Sequence, residues 1–151
     1  MFLGMVRRIR ENELAALLRL YALFNPEEEG ADPGGAATHE LWRTILSNPN
    51  LRYYVYDDSG QAVSTCTMTI IPNLNHNLKP YGLIENVVTE PAHRKRGFAT
   101  QVIRYALAEA WDAGCYKVML LTGSKKEETL RFYESAGFRR GVKTGFIAYP
   151  R

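Results

Sequence analysis

Apolar positions recur along the chain with two periods. Ala99, Val102, Ile103, Ala106, Leu107, Ala110 and Trp111 keep the i, i+3, i+4 spacing of one buried helical face, which predicts a long helix opening near Gly97 and stopped at Gly114. Leu83 to Thr89 reads as the strand before it, and Glu90 to Arg96 as the connecting turn. Upstream, Met5 to Arg10 alternates apolar and basic residues as a first strand. Asn12 then caps a helix whose face is Leu14, Leu17, Leu18 and Tyr21, ended by Asn25-Pro26. Thr38 caps a second helix bearing Leu41, Trp42 and Ile45, stopped at Asn48-Pro49. Arg52 to Tyr56 and Gln61 to Ile71, rich in β-branched and aromatic residues, flank the turn Asp57-Asp58-Ser59-Gly60 and predict an antiparallel hairpin. Tyr116 to Leu121, apolar but for Lys117, reads as a strand covered on both faces. Ser124 and Glu127 have capping-box spacing for a further helix, which Gly137 ends, and Val142 to Tyr149 supplies a last strand. The order is βααβββαβαβ, a mixed α/β arrangement of sheet and flanking helices.

The segments between these elements add little chemistry. Glu27 to Ala37 is rich in Glu, Gly and Pro and reads as a mobile loop, and Pro72 to Pro80 is a polar loop with three asparagines and His76. His76 between asparagines reads more simply as an exposed residue than as a base. The 151 residues suit one domain, 1–151, with no internal repeat.

Composition narrows the classes. With 46% hydrophobic and 23% charged residues, and no apolar run near the ~20 residues of a membrane span, a soluble globular protein is expected. The Met1-Phe2-Leu3-Gly4 start lacks the layout of a signal peptide, so a cytoplasmic location is expected. Cys66 and Cys115 form no C-x-x-C or Cys/His ligand set, and neither disulfide nor metal is expected of them. The net charge of +3 is matched by the run His93-Arg94-Lys95-Arg96, pointing to a local anion site more than to a nucleic-acid surface.

That run lies in Arg94-Lys95-Arg96-Gly97-Phe98-Ala99, an R-x-x-G-x-A pattern between strand and helix. Its small residues let backbone N–H groups approach an anion, and the helix N-terminus adds partial positive charge. An ordinary strand-to-helix turn with solvated basic side chains would look the same. A second motif follows at Phe132-Tyr133-Glu134-Ser135-Ala136-Gly137-Phe138. Together, Val87 to Ala99 and this late helix resemble the coenzyme A signature and tyrosine helix of the GNAT acetyltransferase superfamily.

The resemblance implies a mixed, mostly antiparallel sheet with splayed central strands, and an acetyl-CoA-dependent N-acetyltransferase acting by direct attack in a ternary complex. It implies that Val87, Val88 and Thr89 pair with the pantetheine arm, with the Val87 N–H at the thioester oxygen. Arg94, Lys95, Arg96, Gly97, Phe98, Ala99 and Thr100 hold the pyrophosphate, Phe132 and Tyr133 complete the cofactor contacts, and Tyr133 acts as general acid. Its other role would be a buried ring with a bonded hydroxyl. Glu85, the only acid in that strand, sits among Leu83, Ile84, Val87 and Val88. Burial would raise its pKa toward that of a base, with a substrate-amine anchor as the equal alternative. A coenzyme A sensor without turnover is a further alternative.

A narrower resemblance, carried by Ile84-Glu85-Asn86-Val87-Val88, Gly114 to Val118 and Arg131 to Phe138, is to glucosamine 6-phosphate N-acetyltransferases, which implies a homodimer. Asn86 stands where that group usually has Asp. Tyr53, Tyr54, Tyr56 and Tyr81 would suit an aromatic amine if they lined one pocket, and Lys79 or Arg52 a phosphorylated one.

Overall fold

A computed structural model describes residues 4–151; Met1 to Leu3, part of the start weighed above as a leader, lie outside it. Strands β1 (Met5–Arg8), β2 (Leu51–Asp58), β3 (Gln61–Ile71) and β4 (Tyr81–Thr89) pair antiparallel in that order, and β5 (Val118–Leu120) joins β4 in parallel. Helices α1 (Leu14–Tyr21) and α2 (Ala36–Ser47) precede the hairpin, α4 (Phe98–Asp112) links β4 to β5, and α5 (Glu127–Ser135) follows. A single turn, α3 (Asn75–Leu78), occupies the Pro72 to Pro80 loop, with His76, Asn77 and Leu78 all at positive φ.

The two-residue period of β2 divides the core. Tyr54 and Tyr56 point to one face of the sheet, with Cys66, Met68 and Ile84, under Phe98, Val102, Ile103, Ala106 and Ala110 of α4. Val55 points to the other, under Leu14 and Leu17 of α1 and Trp42 of α2. The Trp42 indole is fixed by donating to the Glu11 carbonyl at 2.9 Å.

Several boundaries differ from the sequence reading. The first helix follows a short 3-10 turn, Glu11–Glu13, capped by the Glu13 carboxylate, which accepts the Arg10 N–H at 2.7 Å; Asn12 does not cap it. Gly35, not Thr38, precedes α2. Ser124 accepts the Lys126 N–H at 3.3 Å and bonds the Thr129 hydroxyl, so the capping box with Glu127 does not form. Trp111 is 50% exposed, one position past Ala110, the last buried residue of α4. β5 is three residues long and half-buried. Val142 to Tyr149 forms no strand, because no neighbouring strand offers it a ladder. Its Phe146 is 90% exposed, and Gly145 rests against the Leu121 side chain.

Candidate active site

The site begins where the sheet opens. β5 pairs with β4 from Gly82↔Val118 to Ile84↔Leu120 and ends there, so Glu85 to Thr89 have no strand on that side. β4 therefore splays away from β5, the last strand of the sheet, beyond Ile84. On the other side, Thr67 pairs with Glu85 and Thr65 with Val88, leaving Asn86 and Val87 opposite the single residue Cys66. The bulge places Asn86 at φ 55, a left-handed conformation that Asn tolerates better than most side chains. The Thr67 hydroxyl donates to the Glu85 carbonyl at 3.0 Å just before it, and Thr89 and Ser64 hydroxyls meet at 2.8 Å just after.

A cleft of about 570 Å³ fills the opening. Val87, Val88 and Thr89 form one wall and Thr129, Phe132 and Tyr133 of α5 the other, while the turn into α4 closes the end. In that turn Lys95 has φ 60 and Gly97, the residue before the helix, φ 79. Gly97 adopts this without the steric cost a side chain would add. The first-turn N–H groups of Phe98, Ala99 and Thr100 have no acceptor within the helix, whose ladder starts when Gln101 N–H meets the Gly97 carbonyl at 3.1 Å. Three open amides, the positive end of α4, and Arg94 and Lys95 therefore converge on one end of the cleft.

Of the residues expected to hold the cofactor, the structure brings all but Arg96 to this cleft. Arg96 turns away, its guanidinium 3.6 Å from Asp58 in the β2–β3 turn and 4.6 Å from the centre of the Phe98 ring. Arg94 lines the cleft while its Nε donates to the Thr89 carbonyl at 3.1 Å. His93 is held between Glu90 and Asp58, at 3.0 and 3.6 Å.

The Tyr133 ring is edge-on to Phe138, and burial, with Cys66 and Glu85 nearby, pushes its phenol above the usual tyrosine range. Glu85 is exposed, not buried among its apolar neighbours as expected, and its carboxylate lies within electrostatic reach of the Tyr133 phenol. The tyrosines do not share one pocket: Tyr54 and Tyr56 are buried under α4, Tyr53 packs with Trp42 on the opposite face, and Tyr81 lies at the far end of β4. Arg52 is engaged with Glu109, and neither it nor Lys79 reaches the cleft. His76 stacks on Tyr116 at 4.1 Å, also away from it.

Leu23 and Phe24, just past α1, line the cleft and escaped the sequence reading; the only signal is that two apolar residues continue beyond the helical face before Asn25-Pro26. Both cysteines are free and buried, the Cys66 thiol pushed up to about 12 by burial, and among the described residues no cluster of His, Cys, Asp and Glu is arranged for a metal. No helix of the described residues is long and apolar enough to cross a membrane.

Residues 15–138 match the Acetyltransferase (GNAT) family model. The chain belongs to the GNAT acetyltransferase family. It is 31% identical over 136 residues to a glucosamine 6-phosphate N-acetyltransferase of Trypanosoma brucei brucei, covering 89% of this chain and 88% of that one. A putative acetyltransferase from Agrobacterium tumefaciens has the same fold with a TM-score of 0.90 and 39% identity, over 97% of this chain and 99% of the other. The glucosamine-6-phosphate N-acetyltransferase of Arabidopsis thaliana superposes with a TM-score of 0.84 over 99% of this chain and 100% of its own, at 18% identity, a likeness of fold. As a GNAT enzyme the protein is an N-acetyltransferase, and its acyl donor is acetyl-CoA.

Proposed function

We propose that the protein moves the acetyl group of acetyl-CoA onto a primary amine by direct attack within a ternary complex, with the donor lying in the cleft between β4 and α5. The observation that carries this is the continuity of the site. The unpaired edge of Val87 to Thr89 runs directly into the open amides of Phe98, Ala99 and Thr100, so an extended amide-bearing arm and a pyrophosphate fit one path.

Acetyl-CoA supplies an activated thioester and a stabilised thiolate leaving group. The chain's residues do the rest. Val87 N–H, turned by the Asn86 bulge, donates to the thioester oxygen as charge gathers there. Val88 and Thr89 extend the ladder along the arm, Arg94 and Lys95 neutralise phosphate charge, and Phe132, Leu23 and Phe24 exclude water. As the carbon–nitrogen bond forms and the carbon–sulfur bond breaks, Tyr133 Oη gives its proton to the departing sulfur. Burial keeps the phenol protonated at neutral pH, so the proton is in place for transfer. Glu85, exposed at the splay, anchors the acceptor and takes the proton released by the amine through water.

The acceptor that the 31% identical relative favours is glucosamine 6-phosphate. We also assign the exposed arm from Val142 to Tyr149 to a homodimer, pairing across subunits, since its apolar side chains are uncovered in one chain. Removing residues 142–151 should then leave a monomer by sedimentation. Two free buried cysteines support a reducing, cytoplasmic setting.

A thiol-release assay with acetyl-CoA over glucosamine 6-phosphate, polyamines, amino acids and peptides tests the reading. Turnover on one class, lowered in Glu85→Gln, supports it; coenzyme A binding with no turnover on any amine overturns it in favour of a sensor.

A further inference from the structure

Tyr21 ends α1, on the face of the sheet opposite α4, and packs against the core cluster that contains Trp42 and Val55. Its hydroxyl is buried and has no hydrogen-bond partner, an arrangement that folded proteins rarely keep without a use. The side chains beside it are Tyr53, Cys66 and Asn86, and burial holds the phenol well above its ordinary range, so it remains a donor. Asn86 and Cys66 are the two sides of the β4 bulge.

The bulge is tied at both ends and loose in the middle. Thr67 holds the Glu85 carbonyl and Ser64 holds the Thr89 hydroxyl, but among the described residues no aligned side-chain hydrogen bond reaches Asn86. That residue carries the positive φ on which the direction of the next N–H depends. A left-handed non-glycine residue persists only where its surroundings determine it, and the unused Tyr21 hydroxyl faces the amide that could be held. Leu23 and Phe24, two and three residues further on, line the donor cleft, so the chain runs from this contact straight into the site.

We propose that Tyr21 is a positioning residue: its hydroxyl donates to the Asn86 side chain and so locks the bulge that aims the Val87 N–H into the donor cleft. This rests on the role given above to Val87. The residue touches no reacting atom and acts through the backbone of its neighbour.

The test reads the bound donor directly. Infrared difference spectra of carbonyl-labelled acetyl-CoA are recorded on wild type, Tyr21→Phe, Asn86→Gly and the double variant, with donor affinity by calorimetry and melting temperature alongside. Glycine at 86 keeps the backbone free to adopt positive φ while removing the side chain that Tyr21 holds. The expected result is a carbonyl stretch lowered in wild type, with most of that lowering lost equally in both single variants and no further loss in the double. Donor affinity should stay within about twofold, and kcat on any accepted amine should fall about tenfold, as for one lost aligning hydrogen bond. A Tyr21→Phe spectrum identical to wild type, or additive losses in the double variant, overturns the inference. No lowering in wild type overturns it together with the Val87 role. A lowered stretch that Tyr21→Phe abolishes, with no amine acetylated, upholds the inference and overturns the transfer reading alone.

Discussion

The rings of Tyr56 and Phe98 lie stacked, 3.9 Å between centroids and 14° apart, so β2 grips the first residue of the helix whose N-terminus closes the cleft between β4 and α5. Stability and ligand affinity meet in this contact. Phe98→Ala should cost about 3–5 kcal/mol by leaving a cavity beside Tyr56. In a chain of this size that lowers the melting temperature by roughly 10 °C. Affinity for acetyl-CoA should fall with it, because the open amides of residues 98–100 lose their anchor; melting curves and calorimetry on one preparation check both.

The basic run divides by direction. Arg94 and Lys95 line the cleft, whereas Arg96 is spent on Asp58 and the Phe98 ring. Arg94→Ala and Lys95→Ala should each weaken coenzyme A about tenfold, the worth of one charge-assisted contact, with an effect that shrinks in salt. Arg96→Ala should change affinity less than about threefold, the scale of a surface pair. Titrations at two ionic strengths separate the two classes.

Tyr133 keeps its proton to higher pH than a free tyrosine, chiefly because burial favours the neutral form, with the nearby Glu85 carboxylate opposing a second anion. The kcat profile should rise as the acceptor amine loses its proton and then stay level to at least about pH 10, the ordinary tyrosine value. Tyr133→Phe should lower kcat about 10²-fold or more with the shape below pH 10 unchanged. Steady-state rates across the range decide it. A fall in wild type between pH 7 and 9 would assign the acid elsewhere.

The patterned elements were legible because their causes are local. β3 is read to the residue: β-branched side chains run from Gln61 to Ile71 between Gly60 and Pro72, and nothing distant is needed to start or stop it. The long helix and the basic turn before it follow from the spacing of Val102, Ile103 and Ala106 and from the glycine at 97. What was not legible depends on partners far along the chain. The bulge at Asn86 exists only against Cys66, the splay only because β5 stops at Leu120, and the diversion of Arg96 only because Asp58 is opposite it. Val142 to Tyr149 shows the converse, a strand-like pattern with no strand beside it.

Away from the site, Arg7 bonds both Glu13, at 2.6 Å, and Asp57, at 2.7 Å, and joins β1 to β2 and to the start of α1. Those hydrogen bonds hold both carboxyl groups below their usual range. A folded pKa below the unfolded one stabilises the protein above the unfolded value and ceases to do so as pH falls through the folded value. Arg7→Met should therefore cost about 1.5–3 kcal/mol at pH 7. The difference from wild type should narrow below about pH 4, where the unfolded carboxyls are protonated. Urea unfolding at pH 7 and pH 3 gives both numbers.

The central claim, that the donor's phosphates lie at the N-terminus of α4, is tested most directly by acetyl-CoA titration of wild type and Ala99→Glu. Ala99 lines the cleft in the first turn of the helix, where a carboxylate suits the helix dipole but repels a bound pyrophosphate. The expected result is a melting temperature unchanged or slightly raised and an affinity at least about tenfold weaker, as close like charges require. Equal affinity in the two proteins would contradict it.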